Sequence, residues 1–446
     1  MSSDESAPTS SPDIPSTLRA HRAALSPEPL THLYRTRLSS GRAMLGELFG
    51  GHVEVASQGA WVTTSSGRRF LNCGGYGVFL TGARHPTVMR YVTEQLHTHP
   101  VATRLFLEPH AALAADALVS VAPAGMERVH FAGSGTEAVE AAIKMARLNG
   151  KTQLIAMENG YHGKTMGALS LTGRSVFQDP FRPLLPAVTH VPYADAPALE
   201  RALAAAGEGQ ACVFVEPVQG EAGVIIPPAG YLSAVEELCR RYHAFLVFDE
   251  IQTGLGRLGE WWGADTEVVR PDALLVGKVL SGAVVPVSAV VATPEAFAPL
   301  DRDPYLHTST FSGAPLAMAA ARGAIAAIKE DDLVERACTI GAGLLAELRR
   351  IVSGHFGSAV AEVRGRGLLL GIEFTDPALV GDLLVELTAH GVIANHSLNS
   401  QTVLRLTPPA VLTQDDLDFL YTSMDRACRA LAHRYNPRPE GNPSYA

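Results

Sequence analysis

Lysine is scarce in this chain. Lysine and arginine together number 36 in 446 residues, and only five of them are lysines, at positions 144, 151, 164, 278 and 329. Arginine keeps its charge in proteins, whereas a buried lysine can lose its proton and become a nucleophilic amine. A lysine in an apolar setting is therefore a candidate for chemistry, and Lys278 follows the apolar run "ALLVG".

Other absences exclude whole classes of function. The net charge of -9 and the pI near 6.0 leave no basic patch, so neither nucleic acid nor an anionic membrane is expected as a partner. The longest apolar stretch, from Val279, is broken by Ser, Gly and Pro and is too short to cross a bilayer. Residues 1–16 are polar and acidic without an apolar signal core, which predicts a disordered tail and a cytoplasmic protein.

Disulfide and metal chemistry also lack their sequence signatures. The five cysteines lie far apart without a CxxC pair, and the sixteen histidines show no HExxH spacing. We therefore expect neither a disulfide framework nor a metal site.

Short β-branched runs alternate with amphipathic segments between residues 128 and 295. The runs include "RVHFAG", "QLIAMEN", "ACVFVEP", "AFLVFDE" and "ALLVGK". Such alternation is typical of βα units that form a mostly parallel sheet. The C-terminal third instead combines long helical stretches with "RGLLLGIEF" and "TVLRLTPP". We predict an α/β fold with a large domain over residues 76–315, a smaller α+β domain over 316–446, and a segment over 17–75 that joins the small domain.

Three features at predicted strand ends suit a single ligand. In an open parallel sheet, ligands lie beyond the carboxyl ends of the strands, where Asp249 and Lys278 fall. The turn "GSGT" follows a strand and opens a helix, whose amino end attracts phosphate. Each feature also has a purely structural explanation, because Lys278 could extend to solvent, Asp249 could cap the next segment, and Ser134 or Thr136 could cap the helix.

Further polar residues lie in predicted loops. Tyr161 and His162 follow the "QLIAMEN" strand, and the tyrosine ring could stack on a flat ligand or only pack within its loop. Lys164 is the rival to Lys278 there, but its polar loop gives less reason for a lowered pKa.

Two threonines and two glutamates complete the candidates. Thr308 and Thr310 stand near a helix start and could serve as N-caps. Glu216 ends the "ACVFVEP" run and Glu221 lies in a glycine-flanked loop, so each is either a site carboxylate or a solvated charge.

A lysine, a carboxylate and a phosphate-binding helix end are together what pyridoxal 5′-phosphate requires. The lysine forms a Schiff base with the aldehyde, the carboxylate keeps the ring nitrogen protonated, and the helix end holds the phosphate. The sequence therefore predicts this cofactor.

The motifs, in this order, resemble those of the class III aminotransferases, pyridoxal-phosphate enzymes of fold type I. The similarity runs from about Leu45 to the last helix and rests on "GSGTEAVEAAIK", "YHGKTMGALS", "EPVQGEAGVIIPP", "FDEIQTGLGRLG", "HTSTF" and "LRLTPP". Within the family the chain is most similar to the putrescine (diamine) aminotransferases, through "GGYGVF", "FRPLLPAVTHVPY" and "SLNSQTVLRLTPPAVLT".

The resemblance implies a set of cofactor-binding residues: Lys278, Gly135, Thr136, Tyr161, His162, Glu216, Asp249, Gln252 and Thr310. In this set Lys278 is the Schiff-base lysine and proton carrier, and Asp249 pairs with the ring nitrogen. Gln252 approaches the ring oxygen, Tyr161 stacks on the ring, and Gly135 and Thr136 hold the phosphate.

The resemblance also implies a substrate pair and a second subunit. Arg405 receives the carboxylate of the amino acid or 2-oxo acid, and Glu221 neutralises that arginine when the other substrate has no carboxylate. Thr310 reaches the phosphate in the neighbouring subunit, which implies a homodimer or a dimer of dimers.

The implied activity is a ping-pong amino transfer from a primary amine to a 2-oxo acid such as 2-oxoglutarate or pyruvate. The expected donor is putrescine, cadaverine or another ω-amino compound, and the alternative is an aminotransferase of ornithine, of another amino acid or of a natural-product aldehyde. An internal amine shift or a racemisation is an alternative reaction on the same fold. A non-catalytic protein is disfavoured because Lys278 and Asp249 are both present, and a nucleotide enzyme because there is no GxxxxGK[ST] motif.

Four departures from the family pattern leave the amine open. They are Ala83 in "GARHP", Gly133 before "SGT", the run "VLSGAVVPVSA" after Lys278, and "FSGAPLA". These positions border the expected pocket and subunit contact, so the sequence identifies the cofactor but not the physiological donor, acceptor or pathway.

Overall fold

The computed structural model describes residues 26–435, and the tail predicted for residues 1–16 lies outside them. The described residues form fifteen strands: β1 Glu54–Gln58, β2 Trp61–Thr64, β3 Arg69–Asn72, β4 Arg128–Ala132, β5 Gln153–Met157, β6 Val188–Val191, β7 Ala211–Val215, β8 Phe245–Asp249, β9 Ala273–Val276, β10 Ser288–Ala292, β11 Val360–Arg366, β12 Leu369–Phe374, β13 Val392–Ile393, β14 Asn395–His396 and β15 Val403–Leu406.

The α-helices of the same part of the chain are α1 Pro27–Leu33, α2 Ser40–Leu48, α3 Pro86–Thr98, α4 Pro109–Val119, α5 Gly135–Leu148, α6 Met166–Leu171, α7 Ser175–Gln178, α8 Ala196–Ala206, α9 Tyr231–Arg241, α10 Pro294–Arg302, α11 Pro315–Glu330, α12 Leu333–Phe356, α13 Pro377–Ala389 and α14 Gln414–Tyr435. Short 3₁₀ and π turns connect several of them.

The central sheet has seven strands in the order β4-β10-β9-β8-β7-β5-β6. The neighbouring strands β9, β8, β7, β5 and β6 all pair in parallel. Only β10 runs antiparallel to its neighbours, β4 and β9. The predicted α/β fold with a mostly parallel central sheet is therefore confirmed. Strand β6 was not predicted from the sequence, because "VTHV" is short and only half buried.

Helices cover both faces of this sheet. Within β8, Leu246 and Phe248 face one core cluster while Phe245 and Val247 face another. Helix α9 contributes an apolar stripe to the first cluster, made of Leu232, Val235, Leu238 and Cys239, and α5 packs in the second. Successive strand residues point to opposite faces, so a strand covered on both sides is apolar throughout. The polar groups of the site consequently lie at the strand ends.

Two smaller sheets flank the central one. The first has the order β1-β2-β3-β13, and its parallel β3–β13 pair joins the N-terminal strands to the C-terminal part of the chain. The second is antiparallel, with the order β11-β12-β15-β14. The domain boundaries given above stay a prediction. Over residues 26–435, no helix is both long enough and apolar enough to cross a membrane.

Candidate active site

The carboxyl edge of the central sheet collects the candidate residues. Asp249 is the last residue of β8, and Lys278 comes two residues after β9. Glu216 directly follows β7, and the loop with Tyr161 and His162 follows β5. Because parallel strands end at the same edge, residues far apart in sequence meet there.

Lys278 begins a 3₁₀ turn with a left-handed backbone, at φ +39°, and most of the residue is buried. Burial lowers the pKa of its amine to about 8, since the charges of Glu221 and Asp249 only partly offset the loss of water. A Cβ on Gly77 would lie 3.8 Å from Lys278 Cδ, so the segment after β3 reaches the lysine. Lys278 therefore lies among charged site residues, whereas the rival Lys164 is exposed, with Nζ 4.4 Å from the Phe177 ring centroid.

Asp249 and His162 form a buried pair. His162 Nδ1 lies 2.7 Å from Asp249 Oδ2, and both side chains are almost fully buried. Burial alone would lower the pKa of His162, but the hydrogen bond and charge of Asp249 outweigh it and the pKa is raised. Asp249 Oδ1 also accepts a hydrogen bond of 3.1 Å from the Ile251 N–H. Asp249 therefore caps the segment that follows it and pairs with His162 at the same time.

Glu216 holds two site loops together. Its Oε1 accepts from the Tyr161 N–H at 2.8 Å, and its Oε2 accepts from the Gly220 N–H at 3.3 Å. Burial raises the pKa of Glu216 to about 7, and nearby His162 opposes the rise. The solvated-charge explanation is wrong for this residue, because Glu216 is only 6% exposed.

Glu221 pairs with Arg405 of the second small sheet. Arg405 Nη1 lies 2.6 Å from Glu221 Oε1, and both residues are buried. The Leu398 N–H donates to Glu221 Oε2 at 2.9 Å, and Gln252 Nε2 donates to Oε1 at 3.5 Å. Burial would raise the pKa of Glu221, but Arg405 and Lys278 outweigh it and the pKa is lowered. Glu221 is therefore an ionised, buried carboxylate and not a solvated loop charge.

The amino end of α5 is open at the same edge. Ser134 is the N-cap and accepts a 3.4 Å hydrogen bond from the Glu137 N–H, so the capping explanation holds for Ser134. Gly135 and Thr136 form the first turn, and Thr136 Oγ1 lies 2.7 Å from Thr165 Oγ1. Thr136 is thus not the cap and stays available as a phosphate ligand.

Thr310 is exposed, and none of its described contacts reaches the other candidates. Helix α11 begins at Pro315 with Ala314 at its N-cap, so the capping explanation is wrong for Thr308 and Thr310. The loop is fixed nearby, because the Arg104 guanidinium donates to the Ser309 carbonyl.

The loop at residues 397–400 also belongs to the site, although the sequence did not predict it there. Asn399 Nδ2 donates to the carbonyls of Asn159 at 2.7 Å and Gly160 at 3.3 Å, and the Asn399 N–H donates to the Glu221 carbonyl at 2.9 Å. This loop joins the segment before Tyr161 to the one with Glu221. The "SLNS" motif gave no signal beyond its family likeness, because its partners are distant in sequence.

Several buried polar atoms of the described residues have no hydrogen-bond partner, and those at the site include His162 Nε2, Gln252 Oε1 and Arg405 Nε. Buried polar atoms are normally paired, so these point to polar ligands. An amine with a lowered pKa, a buried carboxylate and an open helix end suit the aldehyde, ring nitrogen and phosphate of pyridoxal 5′-phosphate. The residues present therefore fit this cofactor.

In the described part of the chain, no group of three or more His, Cys, Asp or Glu side chains is placed to hold a metal ion.

The model of the aminotransferase class-III family matches residues 52–428 of this chain. The match includes every candidate site residue named above.

Comparison with solved structures gives similar proteins across nearly the whole chain. The ornithine aminotransferase from Toxoplasma gondii is 31% identical with a TM-score of 0.86, and the match covers 94% of this chain and 99% of that one. Its structure has partial occupancy of pyridoxal phosphate at the active site. The ornithine δ-aminotransferase from Plasmodium falciparum is 29% identical, with a TM-score of 0.75 and coverage of 88% and 99%. An engineered thermostable omega transaminase is 26% identical, with a TM-score of 0.81 and coverage of 88% and 96%.

Proposed function

The chain belongs to the class III aminotransferases, which depend on pyridoxal 5′-phosphate, and on this basis we propose that its amino donor is a primary amine without a nearby carboxylate. The proposed donors are diamines such as putrescine or cadaverine, or another ω-amino compound. The proposed acceptor is a 2-oxo acid such as 2-oxoglutarate or pyruvate.

The buried pair between Glu221 and Arg405 is the observation that supports this proposal. A 2-oxo acid carboxylate needs a free guanidinium, whereas a diamine brings a second positive charge that an unpaired arginine would repel. A pair that closes for the diamine and opens for the carboxylate serves both substrates of a ping-pong reaction. The hydrogen bond from Leu398 gives Glu221 a second anchor when it leaves Arg405.

The proposed roles at the reacting centre follow from the same geometry. When bound, pyridoxal 5′-phosphate supplies an aldehyde carbon that takes up amines and a ring that accepts electrons. Nζ of Lys278 holds the cofactor and takes the proton from the amine-bearing carbon of the substrate, and a pKa near 8 suits this transfer. Asp249, oriented by His162, keeps a proton on the ring nitrogen.

Other residues bind and orient. Tyr161 would pack against the ring of the cofactor, and Gln252 would donate to the ring oxygen. Gly135 and Thr136 would hold the phosphate at the amino end of α5. Glu216 positions the Tyr161 loop through its hydrogen bond to the backbone.

We propose that the enzyme works as a homodimer in which Thr310 completes the phosphate site of the partner. An exposed apolar patch supports a subunit contact here, because Leu105, Phe106 and Leu107 are 85%, 81% and 102% exposed. Phe311 is 65% exposed on the neighbouring loop, and Arg104 joins the two segments through Ser309. Contiguous apolar surface of this kind marks interaction sites.

Ornithine is the second candidate donor. The similarity to the Toxoplasma gondii protein favours it, because that relative is an ornithine aminotransferase. Arg405 could then receive the ornithine carboxylate once Glu221 releases it.

A panel of amines tests the proposal on the yellow holoenzyme. Putrescine, cadaverine, ornithine and 4-aminobutyrate are mixed singly with the protein, and loss of the cofactor's visible band is followed. Rapid loss with the diamines and recovery with 2-oxoglutarate is expected. Fast bleaching by ornithine alone would select the second candidate, and an isomer formed without any 2-oxo acid would select the internal amine shift or racemisation.

The variant Arg405→Gln tests the carboxylate role. It should weaken use of 2-oxoglutarate by at least about tenfold while diamine bleaching changes much less, because only the former loses a charged hydrogen-bond partner. Equal losses in both half-reactions would contradict the role.

A further inference from the structure

Three residues that lie directly opposite one another on neighbouring strands of the second small sheet include two buried arginines. Arg364 of β11 lies opposite Gly371 of β12, and Gly371 lies opposite Arg405 of β15. Directly opposite residues project from the same face of a sheet. We call these three residues the arginine row. Ile372 and Leu404, the strand neighbours of Gly371 and Arg405, point to the opposite face and belong to the hydrophobic core. The arginine row therefore lies on the face of the sheet that points away from this core.

Arg364 holds the backbone of the loop that contains Glu221. Its Nε and Nη2 donate to the Gly223 carbonyl at 2.9 and 2.7 Å, and Nε also donates to the Val224 carbonyl at 3.1 Å. On its other side, Nη1 lies 2.7 Å from Glu362 and 2.5 Å from Glu373. The guanidinium is fixed from both sides and is only 9% exposed. Its geometry lets it bridge carboxylates and carbonyls at once.

Gly371 leaves the space into which the loop packs. A Cβ at this position would lie 3.1 Å from Val224 Cβ and 3.2 Å from the Gly223 oxygen. Gly223 has φ +117°, and its own Cβ would lie 2.9 Å from Val403 Cγ2. The loop is therefore pressed closely against the row.

Val224 is held in a conformation that valine disfavours. It has φ +58° and is fully buried. A β-branched residue in the left-handed region is strained, and such strain persists only where surrounding contacts impose it. Arg364 and Gly371 supply such contacts, beside the hydrogen bond of 3.2 Å that the Val224 N–H donates to the Gly220 carbonyl.

The two ends of the row therefore hold the same loop. Arg405 binds the Glu221 side chain, and Arg364 binds the backbone two and three residues later. We propose that Arg364 and Gly371 are positioning residues that set how readily the Glu221–Arg405 pair opens to a substrate carboxylate. The inference rests on the proposed function of that pair.

The proposal predicts opposite effects on the two half-reactions. If the backbone of the loop is released, Glu221 covers Arg405 less well. A 2-oxo acid then meets less competition for the guanidinium, whereas a diamine meets an uncompensated positive charge. A defect that only loosened packing would weaken both substrates alike.

The test compares Arg364→Met with Arg349→Met in the holoenzyme. Arg349 Nη2 donates to the Val363 carbonyl at 2.8 Å, so the control removes a guanidinium bond to the same strand without touching the loop. Stopped-flow absorbance gives the apparent dissociation constants of putrescine and 2-oxoglutarate separately. In Arg364→Met we expect the constant for putrescine to rise about tenfold, and that for 2-oxoglutarate to stay level or fall. The control should change both by less than about twofold.

Two further variants keep the proposal testable if Arg364→Met does not fold. Gly371→Ala pushes the loop away by its added methyl group and should shift the two constants in the same opposite directions. Arg364→Lys keeps a charge for Glu362 and Glu373 but not the bridge to two carbonyls, and it should give an intermediate shift.

Arg405→Gln, run in parallel, separates this inference from the function on which it rests. If Arg405→Gln leaves 2-oxoglutarate binding unchanged, the proposed role of the pair fails. If Arg405→Gln weakens 2-oxoglutarate but Arg364→Met and Gly371→Ala raise both constants equally or change neither, the positioning role alone is overturned. A wild-type enzyme that reacts with neither probe would overturn both.

Discussion

Burial and charge oppose each other at Lys278. Burial lowers the pKa from 10.5 to about 8, while Glu221, Asp249 and Glu216 pull it upward and Arg405 pushes it down. At neutral pH a pKa near 8 makes the neutral, nucleophilic fraction of the amine about 300-fold larger than an unperturbed lysine would have. The apolar strand before Lys278 therefore contributes directly to its reactivity.

Cofactor capture by the apoenzyme should report this pKa. The rate at which added pyridoxal 5′-phosphate produces the visible band should rise with pH, because only the neutral amine attacks the aldehyde. The rise should level off above about pH 8. The measurement is a stopped-flow series across the pH range, and a rate that still climbs steeply past pH 9.5 would contradict the lowered pKa.

Two variants serve as controls for that experiment. Lys278→Ala should show no covalent attachment when borohydride-treated protein is analysed by mass spectrometry. Lys164→Ala should attach the cofactor normally, because Lys164 lies exposed beside Phe177. Attachment at another lysine in Lys278→Ala would refute the assignment.

At the scale of single residues, the sequence predicted positions but not contacts. Asp249 and Lys278 could be predicted because they end apolar runs, and strand ends of a parallel sheet form its binding edge. The pairing of Asp249 with His162 could not, because it depends on the path of a loop 87 positions away in sequence. Arg364 gave no signal, since only the strand register places it in one row with Arg405.

At the scale of elements, two of the three glycines of helix α12, Gly341 and Gly343, have opposite surroundings. A Cβ on Gly341 would lie 2.0 Å from the Gly367 carbonyl oxygen, in the tight turn between β11 and β12. A Cβ on Gly343 would meet nothing within 4 Å, and Gly343 is exposed. The first glycine permits close approach, whereas the second only weakens the helix.

Alanine at each position should therefore act in opposite directions. Gly343→Ala should stabilise the fold by about 0.5–1 kcal/mol, because alanine loses less backbone entropy in a helix. Gly341→Ala should destabilise it by about 2–3 kcal/mol, because the hairpin must move away. Urea unfolding midpoints of the two holoenzyme variants check this, and a stabilised Gly341→Ala would be inconsistent with the contact.

Element type was easier to predict than element direction. The long helical stretches expected in the C-terminal third include Leu333–Phe356, and β10 lies at the end of the alternating region expected over residues 128–295. That β10 runs antiparallel could not be predicted, because an apolar strand pattern is the same in both directions. Its reversal places Ser288 beside the turn that opens α5, where its hydroxyl donates to the Ser134 carbonyl at 2.5 Å.

At the scale of the whole molecule, the proposed homodimer explains why Thr310 is exposed and apart from the other candidates. If Thr310 serves the partner, each site combines Lys278 of one chain with Thr310 of the other. The exposed apolar patch around Phe106 and Phe311 is where such a contact would bury surface.

Mixing two inactive variants should then restore activity. Lys278→Ala lacks the amine, and Thr310→Asp places a negative charge against the cofactor phosphate, so each homodimer should be inactive. In a mixed dimer one site receives both changes, while the other has an intact Lys278 and an intact Thr310. One of the two sites in each mixed dimer is intact, so the purified hybrid should show about half of the wild-type activity. The measurement is transaminase activity after co-expression with two affinity tags and purification of the doubly tagged species. If Thr310 served its own chain, every site in the mixed dimer would carry one change, and the purified hybrid would stay inactive.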